Sequence, residues 1–142
     1  MAVSPSQRML SVLIVDETLE GGSLLSAELQ QEPGIRIVAT TTSTASATEL
    51  FLSFRPEIVL ASICLPEGSG FGVLDRVKRV DPRCDVILMT RQLNPFVADT
   101  ARLLGAVEVC AISHGSSQIR ELLRRLLADR ARGESGRDGI ST

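Results

Sequence analysis

Four polar residues that can take part in chemistry directly follow apolar runs of the chain. Asp16 and Glu17 come after one such run, Ser62 after a second and Thr90 after a third. Continuous apolar runs of this length are typical of strands that are buried on both faces of a parallel sheet. Because open α/β sheets bind their ligands at the carboxyl ends of the strands, these side chains are predicted to meet at one edge of the sheet.

The residue types at that edge support more than one interpretation. The adjacent carboxylates of Asp16 and Glu17 are oxygen ligands of the kind that hard cations take. Acidic residues just before a helix are, however, also favoured by its positive end without any metal. Ser62 is a poor nucleophile, because a hydroxyl needs a base beside it and none of Glu57, Glu67 and Asp75 is placed to act as one.

Five apolar, β-branched segments alternate with five segments of helical periodicity. The predicted strands are Met9–Val15, Ile35–Thr41, Glu57–Ser62, Asp85–Thr90 and Val107–Ala111. The predicted helices are Leu19–Gln31, Ala45–Phe54, Phe71–Val80, Pro95–Leu104 and Ser117–Arg130. Asn94 followed by Pro95 indicates a helix start, and Gly105 indicates a helix end. Alternating strands and helices predict an α/β fold with a parallel sheet between two layers of helices.

The length, charge and cysteine content of the chain disfavour several classes of function. At 142 residues and 44% hydrophobic residues, the chain fits one domain, with 1–8 expected to be disordered, 9–128 folded and 129–142 a flexible tail. A net charge of -2 argues against direct nucleic-acid binding, and no apolar run reaches the roughly 18 residues that a membrane span needs. Three cysteines without metal spacing favour reduced thiols in a cytoplasmic protein, with Cys64 the one to watch for redox chemistry.

Two segments carry a family resemblance. Pro56–Pro66 resembles the third strand and following loop of response-regulator receiver domains, and Gly105–Ile112 resembles that family's Gly-Ala-x-x-Tyr-Leu-x-Lys. The match runs from Leu10 to Ala128. It implies a flavodoxin-like (CheY-like) three-layer fold with five helices, a five-stranded parallel sheet in the order 2-1-3-4-5, and a role in bacterial two-component signalling.

The resemblance also assigns roles to positions, and several residues depart from them. Asp16 and Glu17 match the acidic pair that holds Mg²⁺ in the family. Ser62, however, stands where the phosphoacceptor Asp is expected, Ile112 where a Lys is expected, and Val109 where an aromatic switch residue is expected. The pocket is therefore predicted to be degenerate, with a weak or lost Mg²⁺ site, no other cofactor and no catalytic residue.

The fourth strand supplies the remaining site residues. Thr90 matches the family's hydroxyl that bonds the phosphoryl oxygen. Arg91 follows where the family has a small residue, and its long cation either pairs with Asp16 or Glu17 or points into water.

One apolar face of the fifth helix has to cover the sheet, which accounts for most of its leucines. Receiver domains also commonly pair through the fourth helix, fifth strand and fifth helix, and the extra breadth of the apolar stripe suits such pairing. The predicted interaction face consists of Phe96, Val109, Ile119 and Leu123 with the basic residues Arg120 and Arg124.

The resulting prediction is a non-enzymatic domain that acts through phosphorylation-independent contact with a regulatory or output protein, or with itself as a homodimer. The alternative is a ligand-sensing domain that uses the pocket around Ser62, Thr90 and Ile112. An enzyme is disfavoured, because Gly68-x-Gly70 is too short for a phosphate-binding loop.

Overall fold

A computed structural model of the protein describes residues 8–17, 19–113 and 115–140. The central sheet has five strands: β1 Leu10–Val15, β2 Ile35–Thr41, β3 Ile58–Ser62, β4 Asp85–Thr90 and β5 Glu108–Ala111. The helices are α1 Leu19–Gln30, α2 Thr44–Phe54, α3 Gly70–Val80, α4 Pro95–Leu103 and α5 Ser117–Ile140. All neighbouring strands are parallel and their order is β2-β1-β3-β4-β5. The predicted fold class and strand order are confirmed.

The strands are apolar on both faces because each face is covered by helices. On one face, Leu13, Val59 and Val86 belong to a core with residues of α2 and α3. On the other face, Ile14, Leu60 and Ile87 belong to a core with residues of α1 and α5. This two-sided burial explains the continuous apolar runs in the sequence.

The start and end of α4, which have clear signals in the sequence, show the expected capping chemistry. Asn94 Oδ1 accepts a hydrogen bond of 2.9 Å from the Val97 amide, and Pro95 occupies the first turn of α4. Gly105 follows α4 with a φ of 106°, a conformation that favours glycine. A two-stranded hairpin, Cys64–Leu65 with Gly68–Ser69, was not predicted; it lies in the loop between β3 and α3.

The fifth helix extends beyond the predicted domain boundary. We expected a flexible tail from Asp129 and a helix end at Arg130, but α5 continues to Ile140. Arg130 Nη2 donates a hydrogen bond of 2.9 Å to Asp85 Oδ2, and its Nη1 lies 3.6 Å from the Glu57 carboxylate. The prediction of a tail from Asp129 was therefore wrong at its start, because these ion pairs fix Arg130 to the sheet. Residues 1–7, which form most of the predicted N-terminal segment, lie outside the described part of the chain.

Within the described ranges, no helix is both long enough and apolar enough to cross a membrane.

Candidate functional site

The register of the sheet brings the predicted site residues to its carboxyl edge. Val15 pairs with Ala61, so Asp16 and Ser62 follow at the same level on neighbouring strands. Ser62 in turn pairs with Met89, just before Thr90. Asp16 is 7% exposed and Ser62 is 3% exposed. The edge predicted from the sequence therefore exists, and its central residues are buried.

A cleft of about 420 Å³ opens beside Ser62, and we call it the Ser62 cleft. Its lining includes Glu17, Ser62, Thr90 and Ile112 together with Cys64 and Arg91. Four of the five residues predicted for the pocket thus lie around one cleft. Asp16 lines a separate cavity between α1 and α5 instead.

Both hydroxyls of the Ser62 cleft are engaged by their own loops. Ser62 Oγ donates a hydrogen bond of 3.1 Å to the Cys64 carbonyl, and Thr90 Oγ1 donates one of 3.2 Å to the Gln92 carbonyl. A hydroxyl has a single proton to donate. In this arrangement the proton of Ser62 is directed to a backbone oxygen and not to a base, so the hydroxyl is not activated for attack.

The acidic pair does not complete a metal centre. Asp16 Oδ1 accepts a hydrogen bond of 2.7 Å from the Glu17 amide, a contact made just before α1. Among the described residues, no group of three or more His, Cys, Asp or Glu side chains is arranged to hold a metal ion. Two carboxylates remain, and the third side-chain oxygen would have to be the neutral Ser62 hydroxyl. The residues present therefore offer a cation one negative charge fewer than an Asp in place of Ser62 would, and they fit Mg²⁺ poorly.

Arg91 lies near Glu17 and is also exposed to solvent, so both alternatives that the sequence left open apply in part. Its Nη2 lies 3.7 Å from Glu17 Oε1, while its side chain is 74% exposed. An ion pair this long and this exposed contributes little free energy. Arg91 thus places a positive charge at the mouth of the Ser62 cleft without closing it.

The three cysteines differ in accessibility. Burial raises the pKa of the Cys84 thiol to about 12 and that of the Cys110 thiol to about 11. Cys64 is exposed in the hairpin beside Ser62. Only Cys64 is therefore both accessible and close to the candidate site.

Three of the residues predicted for the interaction face belong to the interior. Ile119 and Leu123 are fully buried in the core between the sheet, α1 and α5, and Val109 is buried in the core on the opposite face of the sheet. The prediction of an exposed role for these three residues was wrong. The apolar stripe of α5 is wide because it has to cover the sheet.

The two basic residues of that prediction hold α5 to the end of α1. Arg124 donates through Nε and Nη2 to the two carboxylate oxygens of Glu32, each at 2.8 Å, and Arg120 Nη1 lies 3.7 Å from the same carboxylate. The hydrogen bonds from Arg124 lower the pKa of Glu32 below its usual value, although burial acts in the opposite direction. Arg120 and Arg124 therefore have an internal partner.

Phe96, a residue of the predicted interaction face, is exposed, and other exposed apolar residues lie nearby in the sequence. Phe96 is 79% exposed and Leu103 is 88% exposed, seven residues apart on α4. Residues seven apart lie on the same side of a helix, so this spacing could have revealed the pair. We define the α4 face by Phe96 and Leu103; three further exposed apolar residues lie before and after the helix, at Leu93, Leu104 and Val107.

The fold and the position of the site at the carboxyl edge define a receiver-type α/β domain. Residues 12–124 match the family model described as response regulator receiver domain. The chain belongs to the response regulator receiver domain family.

Curated relatives with similar sequences are protein-glutamate methylesterases/protein-glutamine glutaminases. One from Caulobacter vibrioides is 27% identical over 120 residues, covering 84% of this chain and 35% of the relative. One from Anaeromyxobacter dehalogenans is 28% identical over 123 residues, covering 84% of this chain and 34% of the relative. The chain thus spans about a third of the length of these relatives.

Solved receiver structures share the fold. The signal receiver domain of NarL from Mycobacterium tuberculosis superposes with a TM-score of 0.77 at 19% identity, covering 89% of this chain and 98% of that one. The response regulator domain of CheB from Thermotoga maritima superposes with a TM-score of 0.70 at 22% identity, covering 89% and 96%. At these identities the likeness concerns the fold.

Proposed function

We propose that this receiver domain acts in signal transduction through phosphorylation-independent contact with another protein and catalyses no reaction of its own. The proposal depends mainly on the burial and hydrogen bonding of Ser62. Its buried hydroxyl stands where the family resemblance places the phosphoacceptor, and it donates to the Cys64 carbonyl. A neutral hydroxyl without a base is a poor phosphoryl acceptor.

The surroundings of Ser62 support the same proposal. Ile112, at the position where a Lys is expected, packs against the core between the sheet and α5. Phosphoryl transfer depends on groups that neutralise the charge of the transferred phosphoryl. An isoleucine side chain supplies no such charge, and Arg91 at the cleft mouth is already near Glu17.

The α4 face is the surface we assign to the protein contact. Large exposed apolar residues that cluster on one surface are typical of interaction sites. Phe96 and Leu103 stand out from α4, and the i,i+3 ion pair of Asp99 with Arg102 lies between them in sequence. The proposed partner is a second copy of the chain or a regulatory or output protein.

A phosphotransfer assay tests the first part of the proposal. The protein is incubated with acetyl phosphate and Mg²⁺ beside a receiver that carries a phosphoacceptor Asp, and intact masses are compared. We expect a phosphoryl group on the control receiver only. A stable phosphoryl group on this chain that disappears in Asp16→Asn would overturn the proposal.

Light scattering over a range of protein concentrations tests the homodimer. We expect a concentration-dependent rise in mass that Phe96→Ser abolishes. Leu52→Ser is the matched control, because Leu52 is an exposed apolar residue on α2, away from the α4 face. A monomer at every concentration would exclude the homodimer and leave a different protein as the partner.

Ligand sensing in the Ser62 cleft is a second candidate, favoured by the volume of that cleft. A ligand that binds only the folded state raises thermal stability by mass action. A thermal-shift screen with small anions therefore tests it, with Arg91→Gln as the variant expected to lose the shift.

A further inference from the structure

A second cavity, of about 180 Å³, lies between α1 and α5, and we call it the α1–α5 cavity. It shares Met89 and Ile112 with the lining of the Ser62 cleft. Leu25 and Ile119 add apolar surface from the two helices. The cavity opens to solvent beside the exposed residues Leu24 and Gly115, and its volume is sufficient for a single ring, since about 150 Å³ accommodates benzene.

One polar group in this cavity has no partner. Ser116, the residue just before α5, is 6% exposed, and its Oγ is buried without a hydrogen bond. Its backbone carbonyl does accept a hydrogen bond of 2.9 Å from the Arg120 amide, so the main chain is satisfied. A buried hydroxyl without a partner is costly. Because this Oγ has almost no accessible surface, a ligand atom reaches it only when the Ser116 side chain rotates about its Cα–Cβ bond, and such an atom would remove that cost.

The charges around the cavity indicate the sign of the ligand. The buried carboxylate of Asp16 and that of Glu28 contribute to its lining, whereas no Lys, Arg or His is present among the described lining residues. An ammonium group has three protons to donate, so it can serve a hydroxyl and a carboxylate together. An anionic head would face repulsion from both carboxylates.

We propose that the α1–α5 cavity is a binding site for a small primary amine, with an apolar body about the size of one ring. The body lies against Leu25, Met89 and Ile119, and the ammonium donates to Ser116 Oγ and faces Asp16. This site does not depend on the proposed protein contact, which uses the α4 face.

Three probes of equal size test the proposal by NMR titration of backbone amides: benzylamine, benzyl alcohol and benzoate. We expect benzylamine to produce saturable shifts centred on Leu25, Gly115 and Ser116. Benzyl alcohol should bind more weakly and benzoate should not bind. Benzoate binding as tight as that of benzylamine would overturn the proposal, as would the absence of saturable shifts with benzylamine.

Ser116→Ala removes the hydroxyl and leaves the rest of the cavity lining unchanged, so it tests the hydroxyl alone. The loss of one hydrogen bond should weaken benzylamine binding about fivefold. The unliganded variant should melt at the same temperature or higher, because an unpartnered hydroxyl has been removed. Ser117→Ala is the matched control, since Ser117 is exposed and does not line the cavity. Equal affinity in Ser116→Ala and wild type, or a clear drop in its melting temperature, would overturn the assignment.

Discussion

Replacing Ser62 by Asp is expected to destabilise the domain when no divalent cation is present. Ser62 is almost fully buried, and the register of β1 with β3 puts it level with Asp16 on the neighbouring strand. The axes of neighbouring strands lie about 4.8 Å apart. The new carboxylate would therefore stand beside an existing buried one.

Coulomb's law sets the size of the effect. At a separation of about 6 Å and an effective dielectric constant of about 20, two carboxylates repel by about 3 kcal/mol. Ser62→Asn introduces a side chain of nearly the same size without charge, so the difference between the two variants isolates the repulsion. For a domain of this length, about 3 kcal/mol corresponds to a fall in melting temperature of about 10 °C.

Urea unfolding of wild type, Ser62→Asp and Ser62→Asn, followed by circular dichroism at neutral pH, measures this difference. Millimolar Mg²⁺ should restore most of the stability of Ser62→Asp, because three carboxylates then offer a cation site. The other two proteins should not respond. Equal stability of the two variants would refute the placement of Asp16 beside Ser62, and a Mg²⁺ response of wild type would refute the loss of the metal site.

Three further outcomes are expected. Glu32→Gln should lower the free energy of unfolding at neutral pH. Because the pKa of Glu32 is lowered in the folded state, the stabilisation is present above the ordinary glutamate pKa and is lost as pH falls through the lowered value. Urea titrations of wild type and Glu32→Gln should therefore converge in acid. Gly70→Ala should reduce the free energy of unfolding by about 1–3 kcal/mol, since the added carbon would lie 2.5 Å from the Ser62 carbonyl oxygen. Gly72→Ala is the control in the same denaturation assay, because a carbon added there meets nothing within 4 Å. Cys64 should react with a thiol reagent in the folded protein and the other two cysteines only after unfolding, which mass spectrometry of the labelled protein measures.

The elements of the sheet could be predicted closely because their local signals agree. The second and fourth strands, Ile35–Thr41 and Asp85–Thr90, have the predicted bounds, since β-branched residues and turn residues mark both ends. The hairpin after Ser62 left no signal, because strands of two residues show no periodicity. The length of α5 was underestimated, since its later glycines disfavour a helix and the ion pairs of Arg130 depend on residues far away in the sequence.

The site could be predicted only in part, for a similar reason. The carboxyl edge follows from strand direction, and thus the positions of Ser62 and Thr90 could be anticipated. The partners of their hydroxyls depend on loop geometry that a sequence pattern does not contain. An apolar stripe on a helix also looks the same whether it faces a sheet or a partner, which is why Ile119 and Leu123 were assigned to the surface.

The ion pairs at the two edges of the sheet differ in strength, and this difference explains why charged residues at the Ser62 cleft can be lost while the fold is kept. At the amino edge, half-buried Arg130 contacts Asp85 at 2.9 Å. At the carboxyl edge, exposed Arg91 lies 3.7 Å from Glu17. Close and partly buried ion pairs interact more strongly than long, exposed ones. The stronger pair, Arg130 with Asp85, connects α5 to the sheet at the edge opposite the Ser62 cleft. Charges at the cleft can therefore be removed without breaking that tie, so a receiver fold is able to persist around a serine at the end of β3.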